Sequence, residues 1–236
     1  MSVLRKFLGP SREEIWRQIA NEIKGEYIDT GFWKSDRLEF KHKEWTMVLD
    51  TFAKQQGNHH ATYTRMRAPF VNKDQFYFDI YREGFFSSVS KFFGMQDIEV
   101  GDSLFDEDFI IKSSDEEKVK KLLKDNKLRK LISDQPRIHL EIKYDSDSFF
   151  RSQFPTGVHM LYFECLGVIK DKKDLRDLFL LFCVVLERLV QMDSAYENDP
   201  DIELWYTHCS RLRIKNTAFC TLNHHFCFVQ SKPQMA

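Results

Sequence analysis

The sequence predicts an α+β fold: an antiparallel sheet of about seven strands with a long C-terminal helix packed on it. Three observations predict it. From Arg37 onward, apolar residues recur with period two in a series of short runs, the mark of half-buried strands. No alternation of strand and helix with Gly-rich phosphate turns appears, which argues against a parallel doubly wound sheet. After Asp171 a broad apolar stripe at helical spacing, Leu175, Leu178, Phe179, Phe182, Leu186 and Leu189, runs to near Asp193.

The elements follow in order. Ser11 with Glu14 behind Pro10 is a capping-box signature, and Ile15, Trp16, Ile19 and Ile23 share one helical face until Gly25. Four strands in sequence come next: through Leu38 and Phe40, Trp45 to Phe52, Thr62 to Arg67, and Phe76 to Ile80. Their joints, 41–44, 55–58 and 71–74, carry turn residues. Gly84 to Gly94 holds Phe85, Phe86, Phe92 and Phe93 in a short apolar helix or lid-like connection. An acidic loop with Asp97, Glu99, Asp102, Asp106 and Asp108 leads to a fifth strand at Phe109 to Lys112. Ser114 and Glu117 read as a second capping box, opening a helix that buries Val119, Leu122 and Leu123; Asn126 to Ile132 is helical again. Arg137 to Tyr144 and Gly157 to Gly167 are the last two strands.

At 236 residues the chain can bury a substantial core. Aromatic residues make up 14%, and each large ring hides roughly 150–250 Å², so the interior is either densely packed or borders an apolar cavity. Phe76, Phe78, Phe85, Phe86, Phe92 and Phe93 are the residues placed to line such a pocket. The formal net charge of −1 argues against a nucleic-acid binder. Cys165 and Cys183 lie in apolar runs, the usage of a reducing, cytoplasmic protein. There is no signal-peptide pattern and no run of about 18 apolar residues that would span a membrane.

Residues 1–204 read as one domain and 205–236 as an atypical extension, disordered or an added hairpin. All 36 Asp and Glu residues precede Trp205. The extension holds Cys and His in surplus; His208, Cys209, Cys220, His224 and Cys227 are thiolate and imidazole ligands of the kind zinc takes, although no C-x-x-C pair occurs.

The segments Tyr63-Thr-Arg65, Ala68-Pro-Phe-Val-Asn72, Gly94-Met-Gln-Asp-Ile-Glu-Val-Gly-Asp102, Phe105-Asp106, Phe109-Ile-Ile-Lys112, Phe154-Pro155 and Ser194-Ala-Tyr-Glu197 carry a likeness. Over about residues 1–204 the chain resembles a family of uncharacterised bacterial proteins of unknown function. The resemblance implies no activity and no catalytic residues, and members stop shortly after the segment matching Ala195 to Leu204. In shape, seven strands closed by a helix are similar to the pleckstrin-homology roll.

Of reaction machinery the sequence offers none: no G-x-S-x-G, H-E-x-x-H, Walker loop or G-x-G-x-x-G. His139 and His159 fall within strands and read as structural histidines; His59 and His60 follow a turn and read as exposed. The acidic loop lacks EF-hand spacing, and Asp106 reads as a holder of backbone N–H groups at a bend. The basic run from Lys118 to Lys130 reads as a solvated helix face. No cofactor is implied. The reading is a non-enzymatic binding or scaffold module whose partner is an apolar small molecule or a protein. Two rivals stand beside it: a hydrolase-type enzyme using scattered carboxylates and histidines, and a protein that pairs with itself or a partner through the apolar helix stripe 175–189.

Overall fold

The computed structural model of the chain describes residues 9–31, 36–56, 59–83, 96–135, 137–143, 155–204 and 212–214. Helix α1 (Arg12–Ile23) opens on the capping box read from the sequence: Ser11 Oγ accepts from Glu14 N at 3.1 Å and Glu14 Oε2 accepts from Ser11 N at 3.0 Å. The helix stops at Lys24, whose φ is 58°, with Gly25 N donating to Ala20 O at 2.8 Å. The left-handed residue is therefore the lysine. Gly25 serves another end, because a Cβ there would stand 2.6 Å from the Glu39 carbonyl oxygen of the adjoining strand.

The strands are β1 (Glu26–Ile28), β2 (Arg37–His42), β3 (Trp45–Gln56), β4 (His59–Val71), β5 (Phe78–Arg82), β6 (Phe109–Ser113), β7 (His139–Lys143) and β8 (Val158–Leu166). They form one antiparallel sheet in the order β1-β2-β3-β4-β8-β7-β5-β6. The sequence anticipates a strand fewer, because three-residue β1 is too short to show a period. Strand β5 follows β4 in sequence but does not join it in the sheet, because β8 and β7 are inserted between them. Among the described residues β1 and β6 end the sheet without pairing to each other, so the sheet is open where a roll would close.

Between β5 and β6 lies a short helix, α2 (Ser103–Asp108), in what the sequence presents as loop. Helices α3 (Glu116–Leu123) and α4 (Asn126–Ser133) follow β6. The cap of α3 is Asp115, accepting from Lys118 N at 3.0 Å; Ser114, the expected cap, instead accepts from Tyr77 N at 3.1 Å and so ties the loop to the strand-β5 side. Helix α5 (Lys172–Gln191) starts on Asp171, which accepts from Lys173 N and Asp174 N.

One face of the sheet is covered by helices. Leu38, Met47, Leu49, Met66, Phe70, Phe78, Ile80, Ile111, Leu140, Ile142, Leu161 and Phe163 from seven strands join the inward residues of α1, α3, α4 and α5 in a single apolar cluster. Burying each large side chain contributes roughly 1.5–3 kcal/mol. Trp16 is fully buried and its Nε1 donates to Ile169 O at 3.0 Å, fixing α1 to the segment that leads into α5. All six stripe residues of α5 are buried inside the chain, and Leu180 is the helix's exposed large apolar side chain.

The other face carries a second, smaller cluster. Ile202 and Leu204 of β9 (Ile202–Leu204) lie against Val48, Val158, Met160 and Tyr162. Strand β10 (Leu212–Ile214) pairs antiparallel with β9 and not with the main sheet.

Candidate functional site

The strand register assembles a charged layer on the face away from the helices. Because side chains alternate, the residues between the core positions Leu49, Met66, Phe163, Leu140 and Ile80 all point to this side. They are Asp50, Arg65 and Arg67, Tyr162 and Glu164, His139 and Glu141, and Asp79 and Tyr81. Register then sets signs against one another: Asp50 faces Arg65, Arg65 faces Glu164, and Glu164 faces His139. Opposite charges directly across a strand pair are the favourable arrangement.

Each acid in the layer has a partner. Arg65 grips Asp50 with two bonds, Nε to Oδ1 at 2.6 Å and Nη2 to Oδ2 at 2.9 Å, and Arg67 Nη2 adds a third at 2.8 Å. Glu164 accepts from Lys54 Nζ at 3.1 Å and from the Tyr162 hydroxyl at 2.9 Å. Lys143 pairs with Glu141 at 3.0 Å and sits 3.5 Å over the Tyr162 ring. His139 Nε2 bonds Asp79 Oδ1 at 2.8 Å and lies 3.6 Å from Glu141 Oε1, while Nδ1 lies 3.7 Å from Glu164 Oε1.

These contacts shift the titration of His139, Glu164 and Tyr162. Burial alone would hold His139 neutral; the hydrogen bond to Asp79 and the carboxylates of Glu164 and Glu141 outweigh it and raise the pKa to about 9. Burial likewise pushes Glu164 upward, but His139, Lys143 and Lys54 bring it far below the usual carboxylate range. Tyr162 is driven well above a free phenol by burial and by Glu164. The carboxylates around His139 thus favour its protonated form.

The second buried histidine is also tied down. Asn72 Nδ2 donates to Phe76 O at 2.8 Å and meets His159 Nδ1 at 2.9 Å, while Asn72 Oδ1 accepts from Asp74 N at 3.2 Å. An amide nitrogen only donates, so Nδ1 accepts and the ring proton sits on Nε2. Ser194 O accepts from Lys73 N, and Ser194 Oγ donates to Asp74 Oδ2 at 2.8 Å, docking the end of α5 on this turn. His59 and His60 are exposed, as read.

Other sequence candidates resolve as structure. Asp106 accepts from the N–H groups of Val100, Gly101 and Asp102 at 2.9, 3.0 and 3.1 Å, holding the bend in the way its neighbours suggest. Asp97, Asp102 and Asp108 are engaged by Lys112, Arg129 and Arg82. No metal-holding group of His, Cys, Asp or Glu occurs among the described residues. Lys118, Lys120 and Lys130 of the basic run pair with Asp74, Glu116 and Asp134.

Phe76 and Phe78 are brought together, with ring centroids 6.0 Å apart, but as members of the packed core, 2% and 0% exposed. Phe85, Phe86, Phe92 and Phe93 lie outside the described residues, as do His208, Cys209, Cys220, His224 and Cys227. Cys165 and Cys183 are free thiols, both raised to about 12 by burial; so high a pKa leaves little thiolate. No described helix is long and apolar enough to cross a membrane. No family model, curated protein or solved structure matches the chain.

The charged layer is what sequence reading missed. Its signal was present: a charge at every second position of otherwise apolar strands, as in Asp79 between Phe78 and Ile80, or Glu141 between Leu140 and Ile142.

Proposed function

We propose that this chain is a non-enzymatic binding or scaffold module, related to the bacterial family it resembles, and that recognition takes place on the charged sheet face. One observation carries the reading: His139 is set among carboxylates, bonded to Asp79 with Glu164 and Glu141 beside it, and they raise its pKa to about 9. General-base catalysis needs a group poised near the working pH with a free lone pair, and His139 offers neither. The motif residues behind the resemblance add support, since Asn72, Asp106 and Ser194 spend their polar atoms on backbone and neighbouring side chains. The free, protonated thiols favour a reducing compartment such as the cytoplasm.

The hydrolase reading supplies the test. Wild type, His139→Gln and Glu164→Gln are assayed with chromogenic esters, phosphoesters and amides, and native mass spectra are compared with denaturing ones. No turnover above buffer in any of the three is expected, with a co-purifying molecule in the native spectrum. Turnover in wild type that Glu164→Gln abolishes while its circular dichroism is unchanged would overturn the proposal in favour of an enzyme.

A further inference from the structure

Arg67 is poorly served for so buried a cation. Its side chain is 9% exposed, and a guanidinium carries five N–H donors. It gives one hydrogen bond, Nη2 to Asp50 Oδ2, while Nε is enclosed with no acceptor among the described residues. Asp50 is a shared partner, since its two oxygens also take two N–H groups from Arg65. Two guanidiniums share that one carboxylate, and the next acid, Glu164, is occupied by Lys54, Tyr162 and His139. A local positive charge is left over. Burial lowers Arg67 to about 10; Asp50 opposes this and Arg65 adds to it, which is the electrostatic face of the same shortage.

The surroundings define what would complete it. Arg67 lies in register between Val48 and Tyr162, both members of the apolar cluster closed by Ile202 and Leu204. A buried donor without an acceptor carries a penalty that an anion removes more fully than water, because the hydrogen bond is charge-assisted. One surplus charge matches a monoanion; a dianion would reverse the imbalance next to Asp50.

We propose that Arg67 is the receptor for a monoanionic carboxylate, docked through Nε at the margin of the apolar cluster. This deepens the binding-module reading and rests on it. The apolar neighbours fit a ligand whose carboxylate is attached to a nonpolar group.

The test follows the Nε–H resonances of the arginines in nitrogen-15-labelled full-length protein. Arg67→Lys and, independently, Arg65→Lys assign the signal. Acetate and inorganic phosphate are titrated at constant ionic strength against chloride. Acetate is expected to move the Arg67 signal downfield and saturably, with phosphate giving the smaller shift. A signal that neither anion moves means water satisfies the donor, and one that phosphate alone moves means the site is not built for carboxylate; either overturns the proposal. A null titration beside a co-purifying molecule and no turnover rejects this site and leaves the binding-module reading intact.

Discussion

His139 Nε2 stands 2.8 Å from Asp79 Oδ1 across two paired strands, and the folded protein thereby holds a proton that the unfolded chain would release. The folded pKa is about 9, against about 6.5 in an unfolded chain. A raised pKa contributes stability that is fully present below the unfolded value and lost as pH rises through the folded one.

Stability to urea should therefore fall between about pH 6.5 and pH 9, by on the order of 3 kcal/mol. Above about pH 8.5 the buried thiols add to the fall, since the unfolded chain ionises them first. His139→Gln isolates the histidine's share. Its unfolding free energy should be lower than wild type at pH 6 and nearly level from there to pH 8.5. A wild-type curve equally level over that interval contradicts the imidazolium assignment.

Asn72 joins three segments, and its removal should be felt as lost stability. Alanine there strips Phe76 O and His159 Nδ1 of their donor, each inside the protein. An unsatisfied buried polar group costs about 1–3 kcal/mol, so Asn72→Ala should lose at least about 2 kcal/mol in urea denaturation. The imidazole nitrogen-15 shifts of His159 should move as well, which generalised weakening of the core would not produce.

What the sequence disclosed, and what it did not, divides along chain distance. The capping box at Ser11 and Glu14, the α5 stripe and the Asp106 bend depend on residues within a few positions of each other, and each was legible. The charged layer depends on Arg65 meeting Glu164 and on Glu164 meeting His139. Those meetings require β8 and β7 to enter between β4 and β5, an order that period-two patterning does not encode. Ser114 and Asp115 show a finer limit. Both are good caps with an acid in the following turn, and tertiary contact with Tyr77 decides which one caps.

Asp106 separates a structural acid from a metal ligand. Three backbone N–H groups depend on its two oxygens. Asp106→Ala should cost about 1–3 kcal/mol, and neither millimolar calcium nor a chelator should move the melting temperature of wild type. A calcium-dependent rise in melting temperature that the alanine variant lacks would reassign the loop as a cation site.

Gly25 tests the junction of α1 with the sheet. The chain leaves the helix at Lys24 and passes so close to β2 that an added Cβ would lie 2.6 Å from Glu39 O, with Leu38 Cδ2 and Ile23 Cγ1 at 3.4 Å. The nearest of these is a backbone oxygen inside the β1–β2 pairing, where Glu26 is in register with Glu39, and it cannot rotate away as a side chain would. Relief must come from shifting β1 outward or tilting α1, which disturbs Trp16 in its fully buried seat. Overpacking of this kind costs about 1–3 kcal/mol. Alanine's better helix propensity does not offset it, because Gly25 lies beyond the left-handed cap residue. Gly25→Ala should lower the urea midpoint with the slope unchanged and should shift Trp16 fluorescence, whereas Gly101→Ala, with nothing within 4 Å of its Cβ, meets only the backbone strain of its φ of 84°. If Gly25→Ala leaves both midpoint and fluorescence where they are, α1 does not approach the sheet as closely as described.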